Sequence, residues 1–308
     1  MRLVRKAVLG VTVLALAALS GCGAGGERAD AADEGQERAQ RPAAVVQALR
    51  TVARKTEEAK SVRVEQTISV DAEDGFEAKV SGVMSWDPVA MDLTTIGTSA
   101  DPQGRGPVEI RTVLVDNVVY VNLGEEAARE FGGKPWLKVD VEKAAGEAGD
   151  PQLLDRLLGG GQSTQQQNPH QRMGLLLESS DVERVGRQTL DGVVTEHYSG
   201  VLTVTESLER NPASDHLTAE EREELLGKLA EAGIEGLEID IWVDERNYPV
   251  RIDTRMSMPG VGAEFTVSER YSDYGTPVSV TAPPADRTAD MMELEAGPDG
   301  AAPEPDGV

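Results

Sequence analysis

The sequence predicts an α+β protein, a strongly curved antiparallel half-barrel of about 10–11 strands wrapped around helices. Three observations lead there. Apolar and polar residues alternate with a period of two through most of 61–99, 108–141, 182–205 and 237–271, as in strands buried on one face only. Asp116-Asn117 and Asp191-Gly192 stand between such runs at hairpin spacing. Helical periodicity is confined to an opening segment and three insertions. So many meandering strands curl rather than lie flat, and the resulting concave face must be filled by helices, by its own side chains or by a ligand.

In chain order, Val45, Leu49, Val52, Ala53 and Thr56 recur at helical spacing and predict an amphipathic helix over about 43–60. Val62, Val64, Ile68 and Val70 begin the alternation. Phe76, Ala78, Val80, Gly82, Met84 and Trp86 continue it, and after Asp87-Pro88 so do Val89, Met91 and Leu93. Val108, Ile110, Thr112 and Leu114 lead through Asp116-Asn117 to Val119, Val121 and Leu123; Leu137, Val139 and Val141 supply a further strand. The middle is different. Leu153, Leu154, Leu157 and Leu158 predict a short helix ending at Gly159-Gly160-Gly161, and Met173–Leu177 a second. Strands return over 182–189 and 193–205, followed by a helix opened by the capping box Thr218-Ala219-Glu220-Glu221. Three last strands carry Leu237, Ile239, Ile241 and Val243, then Val250, Ile252, Thr254, Met256 and Met258, then Ala263, Phe265, Val267 and Tyr271.

Charge narrows the partners. Lys+Arg number 30 against Asp+Glu 54, a formal charge of −24 with a pI near 4.5. Nucleic acid is excluded as an expected partner, since no basic stripe is present to displace counterions from a phosphate backbone.

The first 22 residues carry the most specific signal. Arg2, Arg5 and Lys6 precede an apolar run from Ala7 to Leu19, too short to span a bilayer comfortably, and Leu19-Ser20-Gly21-Cys22 follows directly. This order is that of an export signal, and the tetrapeptide resembles the lipobox of bacterial lipoproteins. The resemblance implies diacylglycerol on the Cys22 thiol and cleavage before it; the alternatives are an ordinary signal with an incidental cysteine and a cytosolic protein with an apolar start. Cys22 is the only cysteine, so once acylated it leaves no thiol for a disulfide, and stability must come from packing. The expected location is the cell membrane, lipid-anchored on its extracytoplasmic face. The expected organisation is a signal peptide over 1–21, a flexible tether over 22–41 of small and charged residues, one folded domain over 42–277, and a disordered acidic tail over 278–308.

The lipobox, tether and opening helix, with the hairpin VGRQTLDGVVTEHYSGVLTV and the strand pair EIDIWVDERNYPVRIDTRMSM, resemble the actinobacterial lipoproteins of the LolA-like fold, which include mycobacterial carriers of acylated glycolipids. That resemblance implies a half-barrel around helices with an apolar cavity for lipid chains. An acidic helix over 218–232, a Gln-rich insertion and a long tail depart from the pattern.

Catalytic signatures are missing from the sequence. His170, His197 and His216 are the only histidines, none at HExxH spacing, and there is no GxSxG elbow, phosphate loop or dinucleotide fingerprint. No enzyme, metal or cofactor is therefore expected. His197 reads as a polar-face strand residue. The acid clusters Asp71, Glu73, Asp74 and Glu220, Glu221, Glu223, Glu224 lack the alternating loop of a calcium site and read as solvated faces.

The site expected instead is apolar. Val80, Met84, Met91, Leu93, Ile110, Leu114, Ile239, Ile241, Ile252, Met256 and Phe265 would line the concave face, with methionines suited to variable acyl chains. The same residues would equally form a dry core beneath helices. The segments around Leu153–Leu158 and Met173–Leu177, hinged on Gly159–Gly161, are lid candidates. The function expected is a membrane-anchored binder or carrier of a lipid or acylated glycolipid; the alternative is a surface adaptor with a filled core and a protein partner the sequence does not identify.

Overall fold

Seventeen residues at helical spacing and long alternating runs give the first elements of the computed structural model, which describes residues 43–72, 75–99, 107–148, 169–210 and 218–295. Helix α1 (Ala43–Ala59) buries Val45, Leu49, Val52, Ala53 and Thr56 along one stripe. Strands β1 (Ser61–Asp71), β2 (Phe76–Trp86), β3 (Val89–Ser99), β4 (Val108–Val115), β5 (Val118–Asn122) and β6 (Trp136–Asp140) follow, with short helices α2 (Gly124–Ala127) and α3 (Val141–Ala148) beside β6. Helix α4 (Pro169–Glu178) precedes the hairpin β7 (Glu183–Leu190) and β8 (Val193–Thr203). Helices α5 (Val204–Arg210) and α6 (Ala219–Glu231) lead to β9 (Gly236–Asp244), β10 (Pro249–Met258) and β11 (Ala263–Ser272); β12 (Thr288–Asp290) and α7 (Met291–Glu295) come last.

All twelve strands form one sheet, in the order β12-β6-β5-β4-β3-β2-β1-β11-β10-β9-β8-β7. Every pairing is antiparallel except β12 on β6, where Thr288, Ala289 and Asp290 run parallel to Trp136, Leu137 and Lys138. Two hairpins turn where the sequence places them. Asp116 and Asn117 have φ of 53° and 61°, and Asp191 and Gly192 φ of 51° and 83°. Paired positive φ values give the turn a twist that matches the flanking strands.

The sheet must bend. The main hydrophobic core joins α1 and α4 to residues of nine adjacent strands, from Val119 of β5 to Tyr198 and Leu202 of β8. Laid flat, nine strands would span about 38 Å, several times the width of a helix, so the two helices can touch all of them only if the sheet wraps around them. Gly200 makes one of these contacts possible. A Cβ there would stand 2.9 Å from Leu176 Cδ1 and 3.2 Å from Val182 Cα, so only a bare backbone lets α4 and the following loop lie against β8.

The structure departs from the sequence expectation at four places. Twelve strands are present, where 10–11 were expected. The chain leaves the sheet at Thr203 and enters α5, so Val204 and Thr205 are helical rather than strand; Glu206 caps this turn by accepting bonds from the Thr203 backbone N–H and hydroxyl at 3.0 and 2.9 Å. Ordered structure also extends beyond 277. Residues 288–295 form β12 and α7, because Lys138 Nζ reaches Asp290 at 3.1 Å and the backbone of Trp136–Lys138 offers a strand edge; this part of the segment expected as a disordered tail is docked. The Met173–Leu177 helix is longer than expected, with Met173 and Leu176 fully buried. The leucine helix at 153–158, the glycine hinge and Cys22 lie outside the described residues.

Candidate functional site

Strand register puts all eleven expected lining residues on one face. Met84 pairs with Met91 and Met91 with Leu114; Val80 pairs with Thr95 and Thr95 with Ile110. Ile252 pairs with Ile241 and Met256 with Phe265. Residues directly opposite in a ladder share a face, and this face is the one that meets α1 and α4.

The eleven do not share one environment. Met84, Met91, Leu93, Leu114, Ile239, Ile241 and Ile252 belong to the main core and are at most 6% exposed. They pack with Leu49, Val52, Met173 and Leu176 of the two helices. These seven are covered by the two helices. Val80, Ile110, Met256 and Phe265 are instead half-buried. They lie toward the end of the bowl marked by the β1–β2, β3–β4 and β10–β11 connections, here named the mouth. Ile68 and Val70 of β1, also half-buried, and Phe76 of β2, 38% exposed, share that face and were not among the residues expected. Their signal was available, since they continue the inward parity of Val62, Val64 and Ala78.

One polar pair interrupts this lining. Gln66 and Glu269 are direct partners across β1 and β11 and are buried, at 8% and 1% exposure. Gln66 Nε2 donates to Glu269 Oε1 at 2.8 Å. Both occupy inward positions, Gln66 beside Val80 and Glu269 beside Ile252.

Two open clefts lie at the opposite end of the sheet, near the β7–β8 and β9–β10 turns. One, of about 330 Å³, is bounded by Val52, Tyr198 and Val243 with Arg187, Glu196 and Asp244; the other, of about 570 Å³, by Tyr271, Tyr274 and Val250 with Arg246, Arg270 and Asp273. None of the eleven expected residues borders either. Burial raises the Glu196 pKa, but hydrogen bonds from Arg187 and Arg184 outweigh it and hold the carboxyl below its usual range. Burial pushes the Tyr274 phenol well above its usual range, assisted by the nearby acids Asp244 and Glu269; its hydroxyl donates to the Pro249 carbonyl at 2.9 Å.

The convex face holds a network around His197. The imidazole is buried, stacks on Trp242 with ring centroids 4.4 Å apart, and its Nε2 meets Asp240 Oδ1 at 2.6 Å. Trp242 Nε1 donates to Gln188 Oε1 at 2.8 Å, which turns the Gln188 amide nitrogen toward His197 Nδ1 at 3.1 Å. Nδ1 is therefore the acceptor and Nε2–H the donor to Asp240. The polar-face position of His197 is as expected from its parity, but the ring is locked between neighbours rather than solvated. Among the described residues, no cluster of three or more His, Cys, Asp or Glu is placed to hold a metal ion.

No family model matches the chain. It is 32% identical over 261 residues to an uncharacterised 31.2 kDa protein from the rplA-rplJ intergenic region of Streptomyces griseus, covering 82% of this chain and 81% of that protein. It is 32% identical over 258 residues to a Streptomyces coelicolor protein provisionally named a lipoprotein, covering 80% of this chain and 75% of that one. Among solved structures, LprF of Mycobacterium bovis is similar at a TM-score of 0.44 and 16% identity, over 79% of this chain and 99% of LprF. The chain belongs to the family of actinobacterial lipoproteins that the two Streptomyces proteins represent.

Proposed function

We propose that this lipoprotein, anchored through the acylated thiol of Cys22 on the extracytoplasmic face of the membrane, binds a lipid or acylated glycolipid in the mouth half of its concave face. One observation carries the reading. Val80, Ile110, Met256 and Phe265, with Ile68, Val70 and Phe76, are apolar residues of the concave face that keep part of their surface exposed, whereas the same face is largely covered farther in. Each methylene a ligand buries there contributes about 0.8 kcal/mol, and Met256 can adapt to chains of varied shape. No nucleotide or metal is needed for such binding, because transfer runs on differential burial alone. About twenty residues, mostly small or charged, separate Cys22 from α1.

The test is mass spectrometry of organic extracts from the mature chain carrying Cys22→Ser, so that the anchor contributes no acyl groups. Stoichiometric lipid is the expected result. A lipid-free protein that also fails to take up fluorescent fatty acid would remove this reading and favour the surface adaptor.

A further inference from the structure

The lining of the concave face changes character along the strands, at neighbouring levels on β1 and β11. On β1, Val62 and Val64 are buried under the helices, Gln66 is buried, and Ile68 and Val70 are half-exposed. On β11, Tyr271, Glu269 and Val267 are buried, and Phe265 is half-buried. The Gln66–Glu269 pair thus stands just inward of the change from covered to partly open lining, which follows Gln66 directly on β1 and one inward residue later on β11, with about 13 Å of strand between Gln66 and Val70 at the mouth. A hydrogen-bonded polar pair buried among apolar residues is a poor neighbour for a hydrocarbon chain, which would strip solvent or bonds from it and gain no apolar contact. Leu49 and Met84 belong to the buried core.

We propose that Gln66 and Glu269 form the inner stop of the acyl site, setting how deep a chain entering from the mouth can go and so which chain lengths are selected. The inference rests on the lipid-binding reading above and adds a specificity determinant to it.

The experiment measures affinity of saturated fatty acids of increasing length for the mature Cys22→Ser chain, by displacement of a fluorescent fatty acid, with and without the paired substitution Gln66→Leu and Glu269→Leu. Removing both partners avoids stranding one buried polar group. In the wild-type pair, affinity is expected to rise about fourfold per methylene and then level off; in the leucine pair the plateau moves to longer chains. An unmoved plateau in a folded leucine-pair protein overturns the stop while leaving lipid binding intact. A wild-type chain whose affinity does not rise with length overturns both. Should the leucine pair fail to fold, a fatty acid bearing a diazirine at its methyl end decides on the unmodified pair: adducts at Ile68 or Val80 support the stop, and adducts at Leu49 or Met84 overturn it.

Discussion

The inner and mouth halves of the concave face are built from the same strands and the same alternation, yet only the inner half is closed. In the inner half, Leu49 and Val52 of α1 and Met173 and Leu176 of α4 cover Met84, Met91, Ile241 and Ile252, and none of these eight is more than 6% exposed. In the mouth half Val80, Ile110, Met256 and Phe265 keep part of their surface open. Inward apolar parity therefore marks a face, and the position of the helices decides whether that face is core or partly open surface. Stability should reside in one half and ligand affinity in the other.

The largest contrast is expected at Leu49, which is fully buried. Leu49→Ala should lower unfolding free energy by about 2–5 kcal/mol in urea titration, through lost burial and an unfilled cavity. A loss below about 1 kcal/mol would show that the inner half is loosely packed and blur the distinction drawn above.

His197→Ala comes next. It removes the ring stacked on Trp242 and leaves Asp240 and Gln188 without a partner at the imidazole. The expected cost is about 1–3 kcal/mol of stability, with fatty acid affinity unchanged because the network is on the convex face. Affinity that falls along with stability would place the two faces in communication.

Phe265→Ala and Met256→Ala should do the reverse. Both residues are only half-buried, so stability should fall by about 1 kcal/mol or less, while lipid affinity drops about tenfold, equivalent to about 1.4 kcal/mol of lost contact. Equal losses of stability and none of affinity would assign the mouth to structure instead.

The smallest effect concerns the docked C-terminal strand. Burial raises the Asp290 pKa, but its bond to Lys138 and the Met292 N–H outweigh burial and hold the carboxyl below its ordinary range. A lowered pKa supplies stability above the unfolded-state value, and that stability is lost as pH falls from the ordinary carboxylate range through the lowered value. Lys138 is 41% exposed, so solvent screening keeps the contribution under about 1 kcal/mol. Protection of the amides at Trp136–Lys138, relative to their intrinsic exchange at each pH, should fall over that acid window, and Asp290→Asn should abolish that fall.

Much of the fold was legible because its signals are local. The stripe Val45, Leu49, Val52, Ala53, Thr56 became α1 unchanged. Thr218 and Glu221 form the expected capping box, with the Glu221 N–H donating to Thr218 Oγ1 at 3.2 Å. The turns at Asp116-Asn117 and Asp191-Gly192 sit where residues tolerant of positive φ required them. The misses are nonlocal. Thr288–Asp290 is too short and too polar to read as a strand until the edge of β6 is beside it. Val204 and Thr205 have the β-branched character of strand residues, but Glu206 ends the ladder by capping a helix. Of the candidate site, the face was legible from parity, while the partition of its eleven residues was not.

By itself, then, the sequence determined which residues point inward, where the chain turns, and that Cys22 follows a basic and then an apolar stretch, because each depends on spacing along a few neighbouring residues. Tertiary structure alone decided which inward residues are covered, and that Gln66 meets Glu269 across 203 residues of chain. Burial and pairing depend on what another part of the chain brings to the same point in space, and no local pattern encodes that.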